Sequence, residues 1–308
     1  MSAGAELPVG VHDGVLMEQY LARLAFSSGM AHRLLTRSPL HAWIESPWNP
    51  NRETDDTAAS DIGTIAHDVL LSGGTGIIAR IDPNDYPAEK TGAIPAGWTN
   101  KAIRAARDAA RANGKIPLFP ADVAAVAAMV ESANSYVAHS QIAGVFDTGK
   151  PEQTIVWSDD GLLCKARPDW LNADVCLHLK TTKMSVNPPS FDRTAINMGY
   201  DISLAFYARA CDSIRDADST EHVILAIEQE PPYACKLFAL SAAQWEISQR
   251  RVARAINAWS ACMKSKHFPA YTGDVHLIEP TSWQLAQAEQ DAASDPLTDE
   301  ELKDGVPL

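Results

Sequence analysis

Between Thr154 and Lys180 the chain carries three apolar runs of strand length, Thr154 to Trp157, Leu162 to Leu171 and Val175 to Lys180. Asp159-Asp160-Gly161 separates the first two, and such a dipeptide between apolar runs is a strong hairpin signal. This stretch constrains the fold more than any other, because a long hairpin followed at once by a third strand commits the middle of the chain to a sheet. Upstream, the pattern is helical. Residues 15–45 read as two short helices around Ser27-Ser28-Gly29, a helix start, with Ser38-Pro39 opening a further turn. Asp61 to Leu71 has helical apolar spacing, residues 98–113 and 121–139 read as two more helices, and residues 49–60 and 73–97 read as loops.

Downstream of Lys180 a helix is expected over 191–214, strands over Val223 to Ile227 and Ala234 to Leu240, and a helix from 241 to about 262. Helices first, then β-β-β-α-β-β-α, describes an α/β sandwich with a mixed, partly antiparallel sheet. Residues 1–150 are expected as a mainly helical part, 151–280 as the core sheet with its helices, the two forming one compact domain, and 281–308 as an acidic tail.

With 308 residues, 46% of them apolar and 21% charged, the chain can bury a large core. No apolar run approaches the ~18 residues that span a bilayer. No basic segment followed by an apolar stretch opens the chain, so a cytoplasmic protein is expected. The five cysteines (164, 176, 211, 235 and 262) form no C-x-x-C pair, and reduced, buried thiols are expected rather than a zinc or iron–sulfur site. A net charge of -13 argues against a general nucleic-acid coat protein but permits a local basic channel. Much of it is local, with seven acids against Lys303 between Glu289 and Asp304. Lys101, Arg104, Arg107 and Arg111 share about a third of one helix's circumference, read as a solvated face ahead of a phosphate-contacting stripe.

The chemistry concentrates in Lys165-Ala-Arg167-Pro-Asp169-Trp and His178-Leu-Lys180. Phosphodiester hydrolysis needs a divalent cation, an activated water and a positive group near the phosphate. Asp169 at a strand end supplies an oxygen donor suited to a hard cation. Positions 178 and 180 share one strand face, so Lys180 is placed to stabilise charge developing on phosphate. Glu152 can add a carboxylate at the same end, and His67 can be an outlying ligand from the early helix.

Taken together, these segments resemble the phage and prophage exonucleases of the RecE (exodeoxyribonuclease VIII) type, within the PD-(D/E)xK nuclease superfamily. The matching pieces span roughly residues 20–280. They include Phe26-Ser-Ser-Gly29, Gly63-Thr-Ile-Ala-His67, Pro151-Glu152, Cys164-Lys-Ala-Arg-Pro-Asp169-Trp, Leu179-Lys180-Thr-Thr, Gly199-Tyr200 with Tyr207, and Glu228-Gln-Glu-Pro-Pro-Tyr233. The resemblance implies a restriction-endonuclease-like core. It sets the family's metal-binding histidine on His67, its core aspartate on Asp169, its entering glutamate on Glu152 and its catalytic lysine on Lys180. It implies DNA contacts at Tyr200, Ser203, Tyr207, Lys165 and Arg167. It also implies Mg²⁺ or Mn²⁺, linear double-stranded DNA as substrate, a homo-oligomer and a single-strand annealing protein as partner.

Two positions depart from the family pattern. The acid of Asp-x-Lys is His178, and the glutamine of the helix pattern is Ser203. Imidazole suits Mn²⁺ or Zn²⁺ better than Mg²⁺. Three outcomes stay open: a Mn²⁺ enzyme through His67, Asp169 and His178, a slow one-metal nuclease, or a nuclease fold that has lost catalysis and binds DNA ends or a protein partner.

Overall fold

The structure is a computed structural model and describes residues 7–52, 61–74, 76–215, 220–271 and 273–293. The first part contains β1 (Gly10–His12), α1 (Met17–Ala22), α2 (Ser28–Thr36), α3 (Pro39–Ile44), α4 (Asp61–Ser72), β2 (Ile78–Arg80), α5 (Lys101–Ala112), β3 (Ile116–Leu118) and α6 (Pro120–Ala138). There follow β4 (Lys150–Pro151), β5 (Thr154–Asp159), β6 (Leu162–Ala166), β7 (Trp170–Leu171), β8 (Val175–Thr182), α7 (Pro188–Asn197) and α8 (Tyr200–Ile214). The series closes with β9 (Glu221–Glu228), β10 (Cys235–Phe238), α9 (Ala242–Ser265) and α10 (Ser282–Ala293).

Local chemistry explains the punctuation. Ser27 and Ser38 cap α2 and α3 by accepting the amides of Met30 and His41. Asp160 and Gly161 both take positive φ, 47° and 81°, as a type I′ hairpin turn requires. Two expected elements are broken. The run 162–171 is not one strand, because Pro168 cannot donate to a ladder, and the chain leaves β6 at Ala166 to re-enter a different sheet at Trp170. The helix expected over 191–214 is two, α7 and α8, separated by Gly199 at φ 70°. A Cβ there would stand 2.3 Å from the His32 ring, so only glycine fits this corner.

Five strands form the main sheet in the order β10-β9-β8-β7-β4. Only β8 and β9 run parallel, the others pairing antiparallel. A second sheet, β1-β5-β6, is antiparallel, and β2 and β3 form a parallel pair. Alternation along β8 sends Leu177 and Leu179 into the core beneath α4 and α6, with Val223, Leu225 and Met129. Cys176 points the other way, toward α8, into a core with Phe26, Trp157, Phe206 and Trp259. The sheet is therefore covered by helices on both faces.

The division of the chain falls at two units, 1–270 and 271–308. The second contains α10, so the first part of the expected acidic tail is helical, while 294–308 lies outside the described residues, as do 53–60 of the expected loop. Among the described residues no helix is long and apolar enough to cross a membrane.

Candidate active site

The two chain segments that change sheets do so at the same level. The first passes from β4 to β5 through Glu152, which takes the left-handed φ of 50°. The second passes from β6 to β7 through Asp169. The Glu152 amide donates to the Asp169 carbonyl at 3.0 Å, locking the two crossings together. A non-glycine residue in that conformation costs on the order of 1 kcal/mol, and both carboxylates are thereby presented at the gap between the sheets.

The end of β8 faces that gap. The Leu179 amide donates to Asp169 Oδ2 at 2.6 Å, and Lys180 Nζ lies 3.6 Å from the same oxygen. Lys180 also stands 5.6 Å from the centre of the Tyr200 ring, at the start of α8. Helix α4 brings the histidine. Gly63 lets it approach, since a Cβ there would lie 2.6 Å from Thr181 Oγ1. His67 follows four residues on, on the same helix face. Its Nε2 is 3.1 Å from Asp169 Oδ1 and its Nδ1 is 3.7 Å from Glu152 Oε1. The other Glu152 oxygen accepts from Arg167, whose second nitrogen donates to the Val15 carbonyl at 2.7 Å. Gly63, His67, Glu152, Asp169, Leu179 and Lys180 line an open cleft of about 440 Å³ together with Met17, Thr64, Thr181 and Gln229.

The charges are coupled. Burial works against the Asp169 carboxylate, but the Lys180 ammonium and the His67 imidazole outweigh it and hold the group well below the usual carboxylate range. Burial likewise resists charge on His67, and the hydrogen bond and charge of Asp169, with Glu152 behind, outweigh it and raise its pKa. The donor set fits one divalent cation. A 3.1 Å separation between His67 Nε2 and Asp169 Oδ1 matches the ~3.0 Å edge of an octahedron with bonds of about 2.1 Å. Glu152 Oε1 lies on the opposite edge of the ring, 3.7 Å from Nδ1. Glu152 is the second carboxylate on the cleft wall, and Mg²⁺ or Mn²⁺ held by His67 and Asp169 would take its remaining bonds from water and phosphate.

His178 does not join this set, and the ligand trio His67, Asp169 and His178 is corrected. Its side chain does share the face of Lys180, but two residues deeper along β8, about 6.6 Å back. There α8 covers it. His178 is buried, with its ring 4.7 Å from that of Tyr207 and its Nε2 3.6 Å from Cys176 Sγ. Burial pushes its pKa down to about 3 and that of the neighbouring His222 down to about 4. Among the described residues, one trio of His, Cys, Asp or Glu groups has its ligand atoms mutually within 4.8 Å: Cys176, His178 and His222.

Four of the other expected DNA contacts, Lys165, Arg167, Ser203 and Tyr207, do not line this cleft. Lys165 is buried, and its ammonium donates to the carbonyls of Tyr20, Leu21 and Arg23, so it ties the end of α1. Arg167 is engaged with Glu152 and Val15 and shapes the cleft from behind. Tyr207 packs on His178, and Ser203 does not line the cleft. Trp170 donates to the Val145 carbonyl at 2.9 Å as a buried anchor. In the stripe on α5, Lys101 and Arg104 are exposed, and Arg107 lies 5.9 Å from the Trp98 ring. Sequence reasoning gave no role to Thr181 or Gln229, which hydrogen-bond each other at 3.0 Å on the cleft wall. The signals were their places in Leu179-Lys180-Thr-Thr and Glu228-Gln-Glu.

A mixed sheet covered by helices on both faces, with an aspartate at a strand break and a lysine on the next strand, is the PD-(D/E)xK fold. The chain belongs to the family described as PDDEXK-like domain of unknown function (DUF3799), whose model matches residues 98–281. That span contains Glu152, Asp169 and Lys180, while His67 precedes it. The crystal structure of a candidate exonuclease from Eubacterium rectale is similar, with a TM-score of 0.54 at 10% sequence identity, covering 92% of this chain and 99% of that one. At that identity the likeness concerns the fold alone. No curated protein matches the chain in sequence.

Proposed function

We propose that this chain is a metal-dependent DNA exonuclease of the RecE-like kind, acting on linear double-stranded DNA with one divalent cation, Mg²⁺ or Mn²⁺. The observation that carries the reading is the meeting of His67, Asp169 and Lys180 in one open cleft, within 3.6 Å along the chain of contacts. A bound divalent cation supplies Lewis acidity toward a phosphoryl oxygen. Asp169 and His67 are the residues that would hold it. Lys180, steadied by Asp169 and the Tyr200 ring, presents a positive charge to the phosphate in the transition state. Glu152 keeps the His67 ring turned, and Arg167 keeps Glu152 in place. A homo-oligomer around the duplex and a single-strand annealing partner belong to the same reading, on the strength of the family resemblance.

A second reading is favoured by the withdrawal of position 178 under α8, which leaves Asp169 as the cleft's principal carboxylate. On it, the chain binds DNA ends or a protein partner without cleaving. The test is degradation of an end-labelled linear duplex and a closed circle, in Mn²⁺ and in Mg²⁺. The nuclease reading expects the linear duplex to be lost and the circle spared, with Asp169→Ala and Lys180→Ala each slowing loss by about 10²-fold or more. Intact linear DNA with both metals, together with retained duplex binding, would select the silent reading.

A further inference from the structure

Behind the cleft, on the side of the sheet that α8 covers, soft and borderline donors converge. Cys176 and His178 share one face of β8, and the parallel register sets His222 of β9 beside Cys176. All three are buried. One ligand atom from each lies within 4.8 Å of the other two. Cys176 Sγ and His178 Nε2 are 3.6 Å apart, against an edge of ~3.5 Å for a tetrahedral zinc site with Zn–S of about 2.3 Å and Zn–N of about 2.0–2.1 Å. Elsewhere the trio is poorly satisfied: His222 Nδ1 is buried with no hydrogen-bond partner. Polar atoms in such a place normally have one, and an ion is one way to supply it. A fourth donor is at hand. Cys211, buried on α8 in the same core as Cys176, lies outside that mutual 4.8 Å, and its thiol would turn inward to complete the set.

We propose that Cys176, His178 and His222, with Cys211 as the fourth donor, form a structural site for one zinc ion beneath α8, separate from the cleft. Two thiolates and two imidazoles around Zn²⁺ carry no net charge, which is the state a dry, buried pocket accepts at least cost. The site is enclosed, so the ion enters as the chain folds and ties α8 to β8 and β9. The imidazole at 178 then has a positive role: it serves a second ion of a different chemical class instead of filling the place of a cleft acid. This inference stands apart from the nuclease reading and survives if the cleft is catalytically silent.

The test uses the full chain, produced once with zinc and once with cobalt. Metal content is measured by plasma mass spectrometry, and the cobalt form by near-ultraviolet absorption, where thiolate-to-Co²⁺ charge transfer appears only with sulfur ligation. The expected result is one tightly held zinc per chain and a sulfur charge-transfer band. Cys176→Ser and His222→Gln lose the zinc, and Asp169→Asn, which strips the cleft donor, keeps both zinc and band. If the Cys176 and His222 variants fail to fold, the natural chain still decides. A folded natural chain with only trace zinc and no sulfur band overturns the proposal. So does a Cys176–Cys211 disulfide in the freshly purified, metal-free protein, or loss of the band in Asp169→Asn.

Discussion

His67 Nε2 lies 3.1 Å from Asp169 Oδ1, joining helix α4 to the point where the chain crosses from one sheet to the other. In the metal-free protein a proton on Nε2 occupies the place a cation would take. Burial opposes charge on this imidazole, but Asp169 and Glu152 prevail, so its pKa stands above the ordinary value of about 6.5. The folded pKa exceeds the unfolded one. The interaction therefore stabilises fully below about pH 6.5, and that stability is lost as pH rises through the folded value. Imidazole NMR titration of the metal-free chain should give a midpoint above 6.5, falling in Asp169→Asn. A midpoint at or below 6.5 in the natural chain would remove the coupling.

Gly63 decides how closely α4 approaches β8. Alanine gains up to about 1 kcal/mol of helix propensity. Its Cβ, however, would stand 2.6 Å from Thr181 Oγ1 and would cost the Thr181–Gln229 hydrogen bond, worth about 1 kcal/mol. The two effects nearly cancel in stability, while the helix carrying His67 is displaced. Gly63→Ala should melt within a few degrees of the natural chain yet lose Mn²⁺ affinity, read by calorimetry. Unchanged affinity would mean that Thr181 simply rotates away.

Lys165 reads in sequence as a DNA contact and is instead a buried strut. Burial pushes its ammonium down to about 7, and three carbonyl acceptors favour the charged form against that. Lys165→Met removes the cost of a buried charge but leaves those carbonyls unmatched, at about 1–3 kcal/mol each before water compensates. The expected net loss is about 2–4 kcal/mol in urea unfolding, with little change in duplex affinity for the folded fraction. A stable variant with weakened DNA binding would restore the phosphate-contact reading.

Much of this geometry is legible in the chain because it depends on short-range rules. The Asp-Gly hairpin, the serine caps and the alternation of β8 each follow from a few neighbouring residues. The meeting of His67 with Asp169 is less local, and only the ordered run of motifs suggested it. The remainder depended on depth and breaks. Parity correctly put positions 178 and 180 on one strand face, but parity says nothing of which residue a crossing helix covers, and α8 covers His178. The strand break at Pro168 and the helix break at Gly199 were both marked by residues known to break elements. Long apolar patterns around them concealed both. The Cys176, His178 and His222 grouping has no sequence spacing to betray it, since parallel pairing of β8 with β9 brings residues 46 apart side by side.

The most direct test of the cleft is anomalous diffraction from crystals soaked in Mn²⁺. The account predicts one manganese peak between His67 and Asp169, about 2.1 Å from Nε2 and Oδ1, that disappears in Asp169→Asn. A soaked, well-ordered cleft with no peak there, or with His178 swung out from under α8 to ligate the ion, would contradict it.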